Sequence, residues 1–271
     1  MKNIKLISFF LLLLTSMGLT SCDTEPIDQN IVNQNPDDDG GGDDDGGDDD
    51  GGDDDGGSTS GDYWPFALNN QWQFESSEPQ NDSPMKIIGT ETIEGTQYYR
   101  VNHFFQASGT DSQTGTAIVL LRKDGNTWYE RVQVNLPSNE GLEINTSPYE
   151  LPILKDLAVG QTWTHSTAQI TSYESDPDFP IEIPDVVTDI DIEGTVLEKG
   201  VSATVNGTAY TDVIKIRFDQ VFTTYPGEGF PDVVTTTSTE IWFAKNIGPI
   251  RSETTLDTGT SLTELVSYIV N

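Results

Sequence analysis

The stretch AIVLLRKDGNTWYERVQV, residues 117–134, decides the fold class of this chain. Two runs of strand-forming residues flank Asp124-Gly125, a dipeptide that favours the type I′ turn of a tight hairpin. The stretch therefore predicts an antiparallel hairpin with strands over residues 117–123 and 127–134.

Similar segments recur on both sides of this hairpin, and no amphipathic helical stretch of useful length separates them. The predicted strands cover residues 71–75, 85–93, 96–105, 117–123, 127–134, 161–173, 186–193, 195–197, 203–205, 211–225, 233–244, 249–255 and 261–270. This regular spacing predicts one antiparallel all-β domain over residues 63–271. No cysteine follows Cys22, so the domain must be stabilised by packing without disulfides.

The first residues have the pattern of a secretory signal peptide over residues 1–21. Lys2 and Lys5 precede an apolar core at 6–14, which is shorter than the roughly 20 residues of a membrane-spanning helix. Leu19-Thr20-Ser21-Cys22 resembles the lipobox of bacterial lipoproteins. The resemblance implies cleavage between Ser21 and Cys22, and acylation of Cys22 with palmitate-type chains that anchor the protein to a membrane. The alternative is an ordinary signal peptide followed by a chance cysteine.

Acidic residues follow the cysteine in DTEPID, residues 23–28. This run resembles the export signal of Bacteroidota lipoproteins that reach the outer membrane, although an aspartate directly after the cysteine is associated with inner-membrane retention in other groups. The resemblance implies an outer-membrane lipoprotein, on either its surface-exposed or its periplasmic face.

Residues 37–57 contain only aspartate and glycine, as DDDGG repeated four times with one extra glycine at Gly42. Such a segment cannot bury apolar surface, so residues 22–62 are predicted to be a disordered tether of about 130–140 Å at full extension. The repeat lacks the alternating spacing of a calcium-binding loop, which favours diffuse counterions over a folded calcium site.

The chain carries 45 acidic and 13 basic residues, for a formal net charge of −32. This charge repels nucleic acid and anionic lipid headgroups, so neither is expected as a partner. Charged partners should be cationic or bridged by a metal.

Three motifs carry a further resemblance: YWPF at 63–66 with Trp72, GTAYTDVIKI at 207–216, and IWFAKNIGPIRSE at 241–253. Their order resembles that of a broad set of uncharacterised Bacteroidota outer-membrane lipoproteins, which are similar in pattern to the half-barrels of lipoprotein carriers. The resemblance implies a single antiparallel, strongly curved sheet, either a half-barrel or an open barrel, that could cradle an acyl chain. The chain departs from the pattern by its acidity and by Asn69-Asn70, where a glycine is usual.

Two proline-rich acidic loops, at 174–185 and 225–232, are the candidate binding site. Each loop leads into a strand through the same sequence, PDVVT, at 184–188 and at 231–235. This repetition would place the two loops at the same end of the sheet. The rim they would form contains the carboxylates Asp176, Asp178, Asp185, Glu228 and Asp232, and the aromatic residues Phe179, Tyr225 and Phe230. Such a rim could hold calcium or a sugar; the alternative is two solvated hairpin tips.

No catalytic motif is evident in the chain. His103 and His165 have no third metal ligand nearby in sequence, and neither a nucleophile motif nor a phosphate-binding loop is present. We therefore expect a non-enzymatic binding module without a cofactor, unless calcium is one, for an unknown protein, glycan or apolar ligand. The alternatives are a carrier of an acyl chain and a hydrolase that uses paired carboxylates.

Overall fold

The computed structural model describes residues 61–77, 83–105, 116–136, 142–175, 183–256 and 259–271. The predicted signal peptide, Ser21, Cys22 and the tether through residue 60 lie outside these residues, as do Asp176, Asp178 and Phe179 of the first acidic loop. In the part of the chain that the structure covers, no helix has the length and apolar character needed to cross a membrane.

The described residues form one antiparallel sheet of thirteen strands, which confirms the all-β prediction. The strands are β1 (Gln71–Ser76), β2 (Met85–Ile93), β3 (Thr96–Val101), β4 (Thr116–Asp124), β5 (Thr127–Asn135), β6 (Leu142–Thr146), β7 (Tyr149–Lys155), β8 (Thr162–Ser175), β9 (Val186–Val205), β10 (Thr208–Tyr225), β11 (Val233–Ala244), β12 (Gly248–Leu256) and β13 (Gly259–Ile269). Their order in the sheet is β6-β8-β9-β10-β11-β12-β13-β1-β2-β3-β4-β5-β7.

The two edges of the sheet lie close together although the backbone ladder does not close. The edge strands β6 and β7 are joined by only Ser147 and Pro148, so the sheet must curl until its edges meet. The Trp163 Nε1–H on β8 donates to the Pro152 carbonyl on β7, at 2.8 Å. The sheet is therefore a single, curved and open one, as predicted.

The two ends of the sheet, where the strands are connected by turns and loops, differ from each other. At one end, which we call the tether end, Gly61 and Asp62 pack against the turns at 124–127 and 245–248. The Asn246 N–H donates to the Asp62 carbonyl at 2.7 Å, and Lys123 forms an ion pair with the Asp62 carboxylate at 2.8 Å. The linker predicted from the sequence includes these two residues, and in the structure they are part of the packed domain.

The opposite end, which we call the far end, contains the 226–232 loop between β10 and β11. The twelve residues of β11 connect this loop to the 245–248 turn. At about 3.3 Å of rise per residue, the two ends are roughly 35–40 Å apart. Gly61, the first described residue, thus lies at the end opposite to the 226–232 loop.

Aromatic side chains fill the concave face near the tether end. Trp64 is fully buried, and its ring lies 6.4 Å from that of Trp72, 6.1 Å from Phe105 and 5.6 Å from Phe243. The Trp128 Nε1–H donates to the Trp64 carbonyl at 3.2 Å. Large buried rings contribute their apolar area plus about 0.5–1.5 kcal/mol for each well-oriented pair, so this cluster contributes substantially to the stability of the domain.

The first and last strands of the domain pair in the middle of the sheet. β1 pairs with β13 from Gln71 opposite Ile269 to Ser76 opposite Thr263. The buried Asn70 Oδ1 accepts hydrogen bonds from the backbone and the side chain of Asn271, at 2.9 and 3.2 Å. The preceding Asn69 has a φ of 71°, which explains why glycine is usual at this turn.

Three predicted strands, at 186–193, 195–197 and 203–205, are wrong as separate elements, because they form the one strand β9. Its glycines do not interrupt pairing. A Cβ on Gly194 would lie 2.1 Å from the Trp163 indole, so glycine makes room for the ring. Gly200 has a φ of 69° and lies where the register with β10 shifts. A β-bulge at this position accommodates the extra residues, so the strand continues where the sequence pattern indicated an end.

Two other differences from the prediction arise from prolines and aromatics. β6 and β7 were not predicted; β7 tolerates Pro152 because it is an edge strand. β3 ends at Val101 and not at residue 105, since Phe104 and Phe105 leave the sheet and pack against Trp64 at 6.0 and 6.1 Å. The burial of these rings overrides the local strand preference.

Candidate functional site

The described parts of the two acidic loops lie together at the far end. β9 and β11 both pair with β10, with Tyr225 opposite Val187 and Thr224 opposite Val233. A Cβ placed on Gly227 would lie 3.9 Å from Pro184, so the loops are in contact. Asp185 and Asp232 therefore lie on either side of the end of β10.

Tyr225 is the aromatic residue at the centre of this arrangement. Its hydroxyl donates to Asp189 at 2.9 Å, and the side chain is 39% exposed. The hydrogen bond to Asp189 raises the pKa of Tyr225, and the negative charges of Asp232 and Asp191 add to the effect. The phenol thus remains neutral and holds the neighbouring carboxylate in place.

Asp189 and Asp191 belong to this surface although neither was among the predicted rim residues. Ile190 and Ile192 are buried, at 1% and 4% exposure, so the alternation of a strand puts the aspartates between them on the outer face. The sequence DIDIE at 189–193 carries this signal, because every second residue is apolar.

Exposed apolar side chains surround these acidic residues. Ile170, Val187 and Tyr225 lie opposite one another on three adjacent strands. Together with the loop they belong to one set, which we call the far-end surface and in which Asp189 alone is half-buried: Ile170, Asp185, Asp189, Asp191, Tyr225, Glu228, Phe230, Asp232, Val233 and Val234. The segments at 166–174, 183–193 and 220–238 contain seven acidic residues and neither Lys nor Arg, and the nearby Arg217 is paired with Asp219.

The far-end surface does not form a metal centre within the residues that the structure covers. No group of three His, Cys, Asp or Glu side chains there lies close enough to hold a metal ion. Asp176, Asp178 and Phe179 lie outside the described residues. Calcium or sugar binding at the rim thus stays a prediction.

The two histidines have different surroundings. His103 lies beyond the end of β3, so its predicted place on a strand with Phe105 is wrong; its Nε2 lies 2.9 Å from the Ser83 carbonyl. His165 is on β8, two residues from Trp163 and on the same side of the strand. Neither joins a group of metal ligands among the described residues.

A well-satisfied charged cluster lies on the outer face of the sheet. Arg122 binds Glu150 through Nε and Nη2, stacks over Tyr129 at 3.8 Å, and shares Glu150 with the Tyr98 hydroxyl. Burial alone would raise the pKa of Glu150, but hydrogen bonds from Arg122 and Tyr98 lower it below its ordinary value. These contacts link the side chains of β3, β4 and β7, so the cluster has a structural role.

Glu130 is a candidate functional residue that sequence reasoning missed. It lies on β5 between Trp128 and Val132, opposite Leu121 and Leu151, so its side chain points to the concave face. It makes no hydrogen bond or ion pair with described residues, and burial raises its pKa to about 7. The alternation in WYERV at 128–132 could have revealed it.

Glu130 and Gln220 line a cavity of about 40 Å³ together with two isoleucines and four phenylalanines, Phe104, Phe105, Phe218 and Phe243. Another cavity, of about 20 Å³, lies near Gln71 and Tyr268. Pockets for lipid-sized ligands measure about 300–1,000 Å³. The described interior is therefore too full to shelter an acyl chain, which argues against the carrier role that the resemblance implies.

A crystal structure at 2.70 Å resolution of a "putative lipoprotein" from Parabacteroides distasonis is similar to this chain, with 12% identity and a TM-score of 0.40 over 77% of this chain and 99% of that one. No protein-family model matches the chain. No curated protein matches it either. At this TM-score, the assignment of a function has to rest on the residues of the chain itself.

Proposed function

We propose that the protein is a lipid-anchored lipoprotein of the outer membrane, held through Cys22, whose β domain is a non-enzymatic binding module for a cationic protein segment. The lipobox-like Leu19-Thr20-Ser21-Cys22 and the apolar core before it support the anchor. The tether then enters at the tether end of the domain. This arrangement directs the far-end surface away from the membrane.

One observation carries the binding role: exposed apolar side chains and unneutralised carboxylates coincide at the end opposite to the tether. Tyr225, Phe230 and Val234 are exposed by 39, 44 and 60%. Apolar groups that stay in contact with water in this way mark interaction sites, and loops on a rigid sheet are common carriers of recognition. The surrounding negative charge attracts cationic partners and repels anionic ones.

The other two functions have weaker support. A carrier needs an open apolar cavity, and the aromatic cluster around Trp64 fills that space. A hydrolase with paired carboxylates needs two acids in one pocket, and Glu130 is the only acid among the described residues that line the 40 Å³ cavity.

The binding role can be tested with a synthetic peptide of alternating lysine and leucine, titrated against the full-length protein in detergent micelles. We expect saturable binding that weakens as salt rises, and at least tenfold weaker binding after Tyr225→Ala combined with Phe230→Ala. The matched control is Leu68→Ala combined with Val159→Ala, two exposed apolar residues away from this surface. Equal binding by wild type and the far-end variant, or equal loss in the control, would refute the role.

The anchor has its own test, because it could fail while the binding role holds. Cys22→Ser should abolish incorporation of labelled palmitate and move the protein from the membrane fraction to the soluble fraction. Protease treatment of intact cells then distinguishes the surface-exposed from the periplasmic face. A Cys22→Ser protein that stays in the membrane fraction would contradict lipid anchoring.

A further inference from the structure

The cavity beside Glu130 has an apolar floor and a polar mouth. Its four phenylalanines are at most 8% exposed, whereas Glu130 and Gln220 keep partial exposure. The Gln220 Oε1 accepts the Thr237 hydroxyl at 3.2 Å, which fixes the amide and leaves the oxygen a second lone pair. The side chains of Glu130 and Gln220 thus line one small space, and no described cation lines it with them.

The chemistry of this cavity favours a small organic cation. A carboxylate withdrawn from bulk water is unstable in its ionised form unless a cation or hydrogen-bond donors compensate it. Phenyl rings attract cations through their negative faces and also accept apolar carbons. A cavity of about 40 Å³ has room for roughly three water molecules, and so for a ligand of about three heavy atoms.

We infer that Glu130, Gln220 and the phenylalanine floor form a binding site for a short primary alkylammonium group. The ammonium lies between the Glu130 carboxylate and the Gln220 amide oxygen, and the carbons pack against the rings. None of these residues belongs to the far-end surface, so the inference does not depend on the proposed function.

Few ionisable groups face Glu130, so its charge should dominate the pH dependence of binding. Tyr149, on β7, is the titratable group coupled to it, and burial together with the Glu130 carboxylate raises the pKa of Tyr149. The strand neighbours Leu121 and Leu151 and the cavity residues of β10 and β11 are uncharged. Binding should strengthen as the pH rises through 7, where Glu130 ionises.

The test is a carbon-13 NMR titration of the glutamate carboxyl signals in the full-length protein at pH 8, with ethylammonium chloride as the probe. Ethanol, of equal size and neutral, and potassium chloride, at equal ionic strength, are the reference ligands. We expect a saturable shift of the Glu130 signal with ethylammonium alone. At pH 5.5 the affinity should fall at least tenfold, because the carboxyl is then protonated.

Two variants decide between a site and a nonspecific salt effect. Glu130→Gln keeps the shape and should weaken ethylammonium binding at least tenfold, with the Ile153 and Ile241 methyl signals as reporters. Glu143→Gln, on the exposed side of β6, should bind as wild type does. A shift that does not saturate, that potassium reproduces, or that persists in Glu130→Gln would overturn the inference.

Discussion

The same strands are built differently at their two ends. On the concave face of β10 and β11, the tether half presents Ile214, Ile216, Ile241 and Phe243, which are all at most 4% exposed. The far half of the same face presents hydroxyls and amides, such as those of Gln220, Thr237 and Thr224. The tether half of these two strands therefore contains more of their buried apolar side chains than the far half does.

The far half combines polar contacts with a smaller set of packed apolar side chains, which includes Phe222 on β10 and Ile190 and Ile192 on β9. Thr188 and Thr224 share a hydrogen bond at 3.0 Å, and Thr239 and Thr254 share one at 3.1 Å. Such bonds contribute about 0.5–1.5 kcal/mol each, less than the burial of one large ring. The far half should consequently open more often than the tether half, which the following changes test.

The largest effect is expected at Trp64. Trp64→Ala should lower the free energy of unfolding by about 3–5 kcal/mol, because it empties the centre of the aromatic cluster. Trp64→Phe should cost clearly less, since the buried Nε1–H of Trp64 has no acceptor among the described residues. Urea unfolding measures both. Equal losses in the two variants would show that the indole itself, and not ring burial, is needed.

Next comes the pH dependence of Glu130, which lies between the two halves. Its pKa is about 7 in the folded protein against an ordinary 4.5, so its contribution to stability is complete below pH 4.5 and is lost as the pH rises through 7. The loss is at most about 3 kcal/mol. Urea unfolding at pH 5 and pH 8 should show it, and Glu130→Gln should remove it.

Glu150 serves as the internal contrast to Glu130. Its pKa is lowered in the folded protein, so its contribution is present above its ordinary pKa and is lost as the pH falls through the lowered one. Glu150→Gln should therefore leave the difference between pH 5 and pH 8 in place. If Glu130→Gln also leaves this difference in place, the Glu130 carboxyl is not its source.

A smaller effect is expected from a methyl group at Gly194, where β9 crosses Trp163. Gly194→Ala should destabilise the protein by about 1–3 kcal/mol, because the new Cβ overlaps the indole. Gly89→Ala on β2 is the matched control, since nothing lies within 4 Å of its Cβ position. Thermal unfolding of both variants should separate them. Comparable losses would mean that glycine in a strand, and not the ring, sets the cost.

The smallest effect belongs to the far half. Thr237→Val removes a hydrogen bond to Gln220 but keeps the shape and strand preference, so global stability should change by less than about 1 kcal/mol. Amide hydrogen exchange should nevertheless quicken near residues 220–224, while residues 214–218 stay protected. Uniform exchange along β10 would remove the distinction between the two halves.

The sequence predicts those features of the structure that depend on residues close together in the chain, and it misses those that depend on distant ones. The strands at 85–93 and 233–244 match the structure at both ends, since each ends near a tight turn with its own residue signature. The edge strands β6 and β7 could not be recognised, because one pairs with β8 across the chain and the other contains Pro152. Their places depend on partners that are distant in sequence.

The candidate sites show the same dependence. The acidic loops could be proposed from prolines and carboxylates near PDVVT, yet their contact depends on β9 and β11 flanking β10. Strand alternation alone could have predicted that the Glu130 side chain points to the concave face. It could not have predicted the aromatic surroundings of Glu130, because those rings come from β10, β11 and the segment after β3. A charge in a strand becomes informative only when its neighbours across the sheet are known.

The pairing of β1 with β13 has a consequence for biogenesis. A chain synthesised from its amino terminus presents Gln71–Ser76 long before Gly259–Ile269. The pairing of β1 with β13 cannot form in that interval, because the two strands are separated in sequence by nearly the whole domain. The hydrogen bonds from Asn271 to Asn70, and with them the central pairing of the sheet, can therefore form only once the last residues of the chain are available.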